Sequence, residues 1–346
     1  MAFAMPRPRS FSELDQLEAI LKRLGGSARA EVACEIPCGS ERFPVHVLTM
    51  GSDDPISPCI GFFAGVHGLE RIGTQVVLSY LHTLSELIEW DATIHALLKR
   101  VRLVFMPLIN PSGMFLGRRS NARRIDLMRN APVESRESVF MIGGQRFSPA
   151  LPWFRGREDD PMEPELLALI QAVRANMFAS PVSIAIDVHS GFGLRDRLWF
   201  PYAKTRVPFP SLAEAFALKR LLDRTYPNHF YQMEPQSLSY ATHGDVWDHL
   251  YDLHRSESDG RRMFLPLCLE MGSWTWVKKN PWQVFSASGP FNPLKKHRMQ
   301  RTLRRHLILF DFLTRATISK DRWFDETDRA GLDREARSLW YGESRP

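Results

Sequence analysis

The sequence predicts an α/β fold: a mixed, mostly parallel central sheet with helices on both faces. Three observations carry that expectation. Four short apolar runs, at residues 59–64, 101–106, 182–188 and 265–271, lack the alternation of a half-exposed strand and read as strands buried on both sides. Stretches with helical apolar spacing lie between these runs, the alternation that builds parallel sheets. Three of the runs end in residues able to do chemistry, His67 and Glu70 just after the first, His189 after the third and Glu270 within the fourth. The carboxyl ends of strands are where open α/β sheets hold ligands.

In chain order, residues 12–24 read as a helix, with Ser12 as candidate N-cap, Leu14, Leu17, Ile20, Leu21 and Leu24 at helical spacing, and Gly25-Gly26 ending it. Residues 32–50 alternate loosely around Pro37, Gly39 and Pro44 and read as short strands with a turn, an edge hairpin. After the first buried strand a helix is expected over 74–87 and another over 92–99. The strand at 101–106 stops at Pro107 and gives way to a polar stretch in which Asn110-Pro111 and Ser112-Gly113 signal turns. Five arginines, 118, 119, 123, 124 and 129, crowd that stretch; they are either a solvated loop or cations aimed at a carboxylate or oxyanion. Residues 140–160 read as a surface excursion. Helices follow at 164–177, 212–222 and within 239–251. The last helix, 295–316, turns Met299, Leu303, Leu307, Phe310 and Leu313 inward. Its basic residues, among them Lys295, Lys296, Arg298 and Arg305, face out as ordinary surface. The tail beyond Ser319 holds Trp323, Leu332, Leu339 and Trp340 and is expected to pack back on the body. No repeat or low-complexity linker divides the chain. The expectation is one catalytic domain over 1–346, with a small N-terminal extension (1–55) and a C-terminal helix plus tail (295–346).

The chain is organised around residues 61–73, GFFAGVHGLERIG, where a buried strand turns on glycines into a helix and presents His67 and Glu70 three residues apart. A histidine nitrogen and a glutamate oxygen one turn apart can address a single metal ion, and zinc accepts both. The pair alone is weak; its order with later motifs is specific. Gly65-Val66-His67-Gly68-Leu69-Glu70 is followed by Asn110-Pro111-Ser112-Gly113, Arg119-Ser120-Asn121, Ile125-Asp126-Leu127-Met128-Arg129-Asn130, Asp187-Val188-His189-Ser190-Gly191 and a strand carrying Glu270. This ordered set resembles the zinc carboxypeptidase family, in its prokaryotic branch beside the succinylglutamate desuccinylases and aspartoacylases, over roughly residues 59–271.

The resemblance implies one Zn²⁺ per chain, bound by His67, Glu70 and His189 with a fourth position open to water, as in catalytic rather than structural zinc sites. It implies that Glu270 is the general base. Asp126 would orient His67 from behind the metal, and Arg119 would steady the tetrahedral oxyanion. Arg129 would bind the substrate's terminal carboxylate, with Asn121 among the substrate-binding residues and Tyr240 as a mobile cap. One departure stands out. The family has asparagine where this chain has Met128, and methionine offers no hydrogen-bond donor to a carboxylate. Either Arg118, Arg123 or Arg124 compensates, or the substrate lacks an α-carboxylate.

The function expected is therefore zinc-dependent hydrolysis of an amide bond in a peptide or an acylated amino acid. A carboxypeptidase-like metallopeptidase is the first reading, an N-acyl amino-acid deacylase the second, and a non-catalytic binding module that keeps the fold the third. Composition narrows the rest. A formal net charge of +6 with no recognised nucleic-acid motif argues against a nucleic-acid partner. No run approaches the ~18 apolar residues of a membrane span, and residues 1–10 lack the apolar core of a signal peptide. Four scattered cysteines, at 34, 38, 59 and 268, suggest free thiols and a cytoplasmic location. Oligomeric state is left open.

Overall fold

The structure, a computed structural model, describes residues 11–258 and 260–343; the reading of residues 1–10 lies outside them. The strands are β1 (Arg29–Cys38), β2 (Glu41–Gly51), β3 (Cys59–Ala64), β4 (Arg102–Met106), β5 (Val182–Ser190), β6 (Arg197–Phe200), β7 (Gln232–Pro235) and β8 (Met263–Met271). The helices are α1 (Ser12–Leu24), α2 (Arg71–Leu87), α3 (Ala92–Leu98), α4 (Pro111–Leu116), α5 (Pro164–Met177), α6 (Leu212–Thr225), α7 (Val246–Ser258), α8 (Trp274–Lys279), α9 (Lys296–Ile318) and α10 (Arg329–Tyr341).

The strands form one eight-stranded sheet in the order β1-β2-β4-β3-β5-β8-β6-β7. The four central strands, β4, β3, β5 and β8, are mutually parallel, and antiparallel pairings join them to the outer strands on both sides. The mixed, mostly parallel sheet expected from the sequence is thus present. Every residue of β3, β5 and β8 is buried, which is why their sequences run apolar without alternation. Two neighbours in β3 show that both faces are covered. Phe62 packs on Tyr80 of α2 and Phe310 of α9, while Phe63 packs on Trp247 of α7. Successive side chains of a strand point to opposite faces, so α2 and α9 cover one face and α7 the other.

Several local expectations need correction. Ser12 is the first helical residue rather than the N-cap; Phe11 stands at that position, and the Ser12 hydroxyl donates to Glu13. The edge hairpin holds two long strands. It tolerates Pro37 because that residue lies on the outermost strand, and Pro44 because it lies outside the Leu48–Gly51 part that pairs with β4. Asn110-Pro111 opens the short helix α4, with the Asn110 side chain accepting from the Gly113 amide. In α9 the deeply buried stripe is Thr302, His306, Leu309, Phe310 and Leu313, with Met299, Leu303 and Leu307 only partly covered. Arg305 turns back to pair with Asp196 at 2.6 Å. In the tail, Leu332 is buried and Trp340 packs on Phe200 and Phe216, but Leu339 is exposed. All four cysteines are free. No described helix is long and apolar enough to cross a membrane.

Candidate active site

The junction after β3 sets the geometry. Gly68 is obligatory there, because a Cβ would lie 2.1 Å from the Gly113 backbone of α4. That close approach folds residues 65–70 tightly enough for His67 and Glu70 to converge: His67 Nδ1 lies 2.8 Å from Glu70 Oε1. His189 enters from β5, the neighbouring parallel strand, with its Nδ1 3.1 Å from Glu70 Oε2 and 3.3 Å from His67 Nδ1. Both imidazoles turn their other nitrogen to a carboxylate. His67 Nε2 lies 3.1 Å from Asp126, and His189 Nε2 lies 2.8 Å from Asp187. An imidazole whose Nε2 donates to a carboxylate leaves a lone pair on Nδ1. Two such lone pairs facing one another beside a buried glutamate are a cation's donor set. Ligand atoms about 2.1 Å from a tetrahedral zinc stand about 3.4 Å apart, close to the separations found here. His67, Glu70 and His189 are also the group whose ligand atoms all lie within 4.8 Å of one another among the described residues.

Without a metal, the same cluster holds a proton. Burial by itself would raise the Glu70 carboxyl, but the His67 and His189 side chains beside it hold it well below the usual carboxylate range. Burial opposes charge on His189, yet Asp187 and Glu70 hold its imidazolium well above the ordinary histidine range. The carboxylates around His189 thus favour a cation at this point, and a metal bound there would displace the proton.

Asp126 bonds to more than His67. It is fully buried, accepts His67 Nε2 and the Met128 amide on Oδ1, and accepts Arg119 Nε on Oδ2 at 2.8 Å. Arg119 also reaches Glu70 Oε1 at 3.2 Å. Glu270 lies on β8 opposite His189 in the parallel register, and its Oε1 accepts the Phe192 amide at 3.0 Å. Burial and the Glu70 charge push its carboxyl up to about 8. Arg129 is buried, donates to the Met128 carbonyl at 3.3 Å and leaves Nε without a protein partner. The loop 240–244 is seated on it: a Cβ at Gly244 would lie 1.8 Å from the Arg129 carbonyl.

Most of these groups line one pocket of about 370 Å³. Of the residues the sequence singled out, His67, Glu70, Arg119, Met128, Arg129, His189, Tyr240 and Glu270 line it, and Asp126 lies behind His67. Asn121 does not line it. Its amide donates to Glu163 and Glu165, and its carbonyl accepts the Arg123 and Ile125 amides, so it shapes the arginine loop from behind. Arg118, Arg123 and Arg124 are exposed outside the pocket and do not stand in for Met128; Arg123 pairs with Glu163. The stretch 140–160, expected as a surface excursion, supplies Ile142, Pro152 and Trp153 to the wall.

Asp187 stands in the same sequence motif as His189 but had no expected role; residues two apart in a strand share a face, which was the available signal. Trp199, Gln236 and Cys268, which line the pocket, had no expected role either. Trp199 lies on β6, a four-residue strand too short to show a period, and Gln236 directly follows the equally short β7.

Comparison with known proteins gives a concordant picture. The family model described as zinc carboxypeptidase matches residues 40–270. Among curated proteins, carboxypeptidase SOL1 of Arabidopsis thaliana is 30% identical over 94 residues, 26% of this chain and 19% of that protein. The matched part therefore spans about a fifth of that relative's length. Among solved structures, bovine thrombin-activatable fibrinolysis inhibitor in complex with tick carboxypeptidase inhibitor is similar with TM-score 0.63 and 18% identity, over 90% of this chain and 100% of that chain. Carboxypeptidase A of Helicoverpa armigera is similar with TM-score 0.59 and 17% identity, over 87% of this chain and 74% of that one. At these identities the structural likeness concerns the fold.

Proposed function

The chain belongs to the zinc carboxypeptidase family, and from that premise we propose that it is a zinc-dependent metallopeptidase acting as one catalytic domain, cleaving an amide bond next to a free carboxylate. The observation that carries this reading is the convergence of His67, Glu70 and His189 in the pocket that also holds Glu270, Arg119 and Arg129. His67, Glu70 and His189 would hold the metal. Zinc, when bound, supplies a Lewis acid that polarises the scissile carbonyl and eases ionisation of water.

The chain's own groups do the rest. Glu270 in its ionised form accepts the proton of the attacking water, its raised affinity for that proton helps to hold it, and it then returns the proton to the leaving nitrogen. Arg119, fixed by Asp126, presents its guanidinium at the pocket edge where negative charge develops on the carbonyl oxygen. Arg129 offers the buried cation for the terminal carboxylate, and the loop carrying Tyr240 closes over it. Trp199, Phe192 and Trp153 exclude water from the remainder of the pocket.

Met128 favours a second reading, an N-acyl amino-acid deacylase. Its thioether lines the pocket and offers no hydrogen-bond donor, so the hold on a terminal carboxylate rests on Arg129 alone and a small acylated amino acid is also accommodated. The test has two parts. Elemental analysis of purified protein should find about one zinc per chain. Blocked dipeptides with a free carboxyl terminus should then be cleaved in preference to their amides and to N-acyl amino acids. Cleavage of N-acyl amino acids alone moves the assignment to the deacylase, and absence of stoichiometric zinc overturns both.

A further inference from the structure

From residue 271 to residue 310 the chain carries eight Lys and Arg and not one Asp or Glu. Within this stretch the turn Pro281–Phe285 holds Trp282 and Phe285 out from the body, 79% and 81% exposed, with ring centroids 6.0 Å apart. Val284 and Leu294, also exposed, extend the apolar surface. A single exposed hydrophobe needs no explanation, but two adjacent aromatic rings with aliphatic neighbours form a patch.

The patch is rigidly mounted. Gln283, between the two rings, points inward and donates to the Gly289 carbonyl at 2.7 Å. Asn292 accepts the Ile72 amide at 2.9 Å and donates to the Leu69 carbonyl at 2.7 Å, which ties the segment to the turn that bears His67 and Glu70. Phe291 lines the active-site pocket. Lys278 and Lys279 precede the turn, Lys295 and Lys296 follow it, and all four are exposed. Arg298 donates to the carbonyls of Trp276 and Lys279, which brings the start of α9 against the end of α8 and gathers the two lysine pairs beside the turn.

We propose that this surface docks the protein on a lipid bilayer bearing anionic headgroups, with Trp282 and Phe285 inserted at the headgroup level and the lysines paired with lipid phosphates and carboxylates. Aromatic rings prefer that interfacial depth, and basic residues next to it gain from the negative surface potential. A fluid surface suits two rings that stand almost fully exposed. A nucleic acid would stack on the rings but would leave Val284 and Leu294 without apolar contact. Docked in this way, the pocket lined by Phe291 lies beside the membrane surface. Nothing in the sequence points to a membrane partner, because the exposure of Trp282 and Phe285 is visible only in the fold.

The experiment is flotation of the full-length protein with vesicles of phosphatidylcholine alone, and of phosphatidylcholine with phosphatidylserine at roughly 7:3. Wild type should bind the mixed vesicles, bind the neutral ones at least about a hundredfold more weakly, and be released by salt. Each basic residue near the surface contributes roughly fivefold. The Lys278→Ala/Lys279→Ala/Lys295→Ala/Lys296→Ala protein should therefore bind at least about a hundredfold more weakly. Trp282→Ser/Phe285→Ser should lose at least about tenfold with its fold intact by circular dichroism. The proposal is overturned if the two vesicle types bind alike, if neither variant changes binding, or if single-stranded DNA is bound in preference to the mixed vesicles. Flotation requires no bound zinc, so its outcome is independent of the zinc and peptide assays above.

Discussion

Asp187 is the most informative residue to change. It is fully buried, and its Oδ2 accepts both His189 Nε2 and Trp247 Nε1, each at 2.8 Å, while Oδ1 has no partner. Asp187→Asn preserves volume and shape. The two donors demand an acceptor at the Oδ2 position, so the amide must place its NH₂ at the Oδ1 position, where nothing receives it. The charge that makes His189 a strong donor of electrons is lost. Carboxylates that orient a metal-binding histidine are worth roughly 10–100-fold in metal affinity, or about 1.4–2.7 kcal/mol. The complete burial of Asp187 argues for the upper part of that range. The unpartnered NH₂ adds a folding cost of about 1–3 kcal/mol that is independent of metal. The two effects separate experimentally. Competition with a chromogenic chelator reads the zinc Kd, and thermal unfolding in excess chelator reads the metal-free fold. Trp247→Phe is the control, since it removes one donor to Asp187 and leaves the bond to His189; its zinc Kd should stay near wild type. An Asp187→Asn protein with wild-type zinc affinity would refute the reasoning.

Three further outcomes are expected. Glu270→Gln should lower kcat by roughly 10²–10⁴ with unchanged zinc content by elemental analysis; loss of metal would make Glu270 a ligand instead of the base. Met128→Asn should lower KM for peptide acids by up to about tenfold, or ~1.4 kcal/mol, with little effect on the matching amides. Arg129→Ala should abolish the preference for acids, and equal kcat/KM on acids and amides in wild type and both variants would dismiss the carboxylate clamp. Glu165 is raised by burial from 4.5 to about 7. The folded state therefore binds this proton more tightly than the unfolded chain. The resulting stabilisation is full below pH 4.5 and is lost as pH rises through about 7, a change of about 3 kcal/mol. Glu165→Gln, which keeps the oxygen that accepts from Asn121, should flatten that slope and raise Tm at pH 8 relative to wild type; a parallel pH profile in chemical denaturation would contradict it.

The fold was legible where burial is uniform. β3, β4, β5 and β8 are apolar on both faces, and their composition announces it; α5 is bounded by Pro164 at its start, and its expected span of 164–177 is the observed one. The convergence of His67, Glu70 and His189, a group that could hold a metal, was legible because spacing and order constrain it: His67 and Glu70 lie across one tight turn, and His189 lies at a strand end, as does Glu270 beside it. What failed depends on contacts between segments distant in sequence. Asn121 resembles a substrate-binding residue in its motif, and only the packing of α5 brings Glu163 and Glu165 to its amide. The stretch 140–160 looks like a solvated excursion because its glycines and prolines carry no period, although Arg155 inside it is buried and bonded to the carbonyls of Arg129 and Val133. Gln236 and Trp199 reach the pocket from the antiparallel flank of the sheet, whose four-residue strands offer no pattern to read.

His189 and Glu270 are register partners on adjacent parallel strands, as are Asp187 and Cys268 two residues earlier. The distance between the two side chains is therefore metered by the hydrogen-bond ladder of the sheet, about 4.8 Å per strand, and not by any loop. Insertions in the connections outside β5 and β8 leave that spacing untouched. Deleting one residue within β8 ahead of Glu270 is different. The strand would slide by one step, Met271 would arrive opposite His189, and Glu270 would turn to the opposite face, beneath the helices. Length variation in this molecule is thus tolerated at the rim and forbidden by parity in the two strands beneath it.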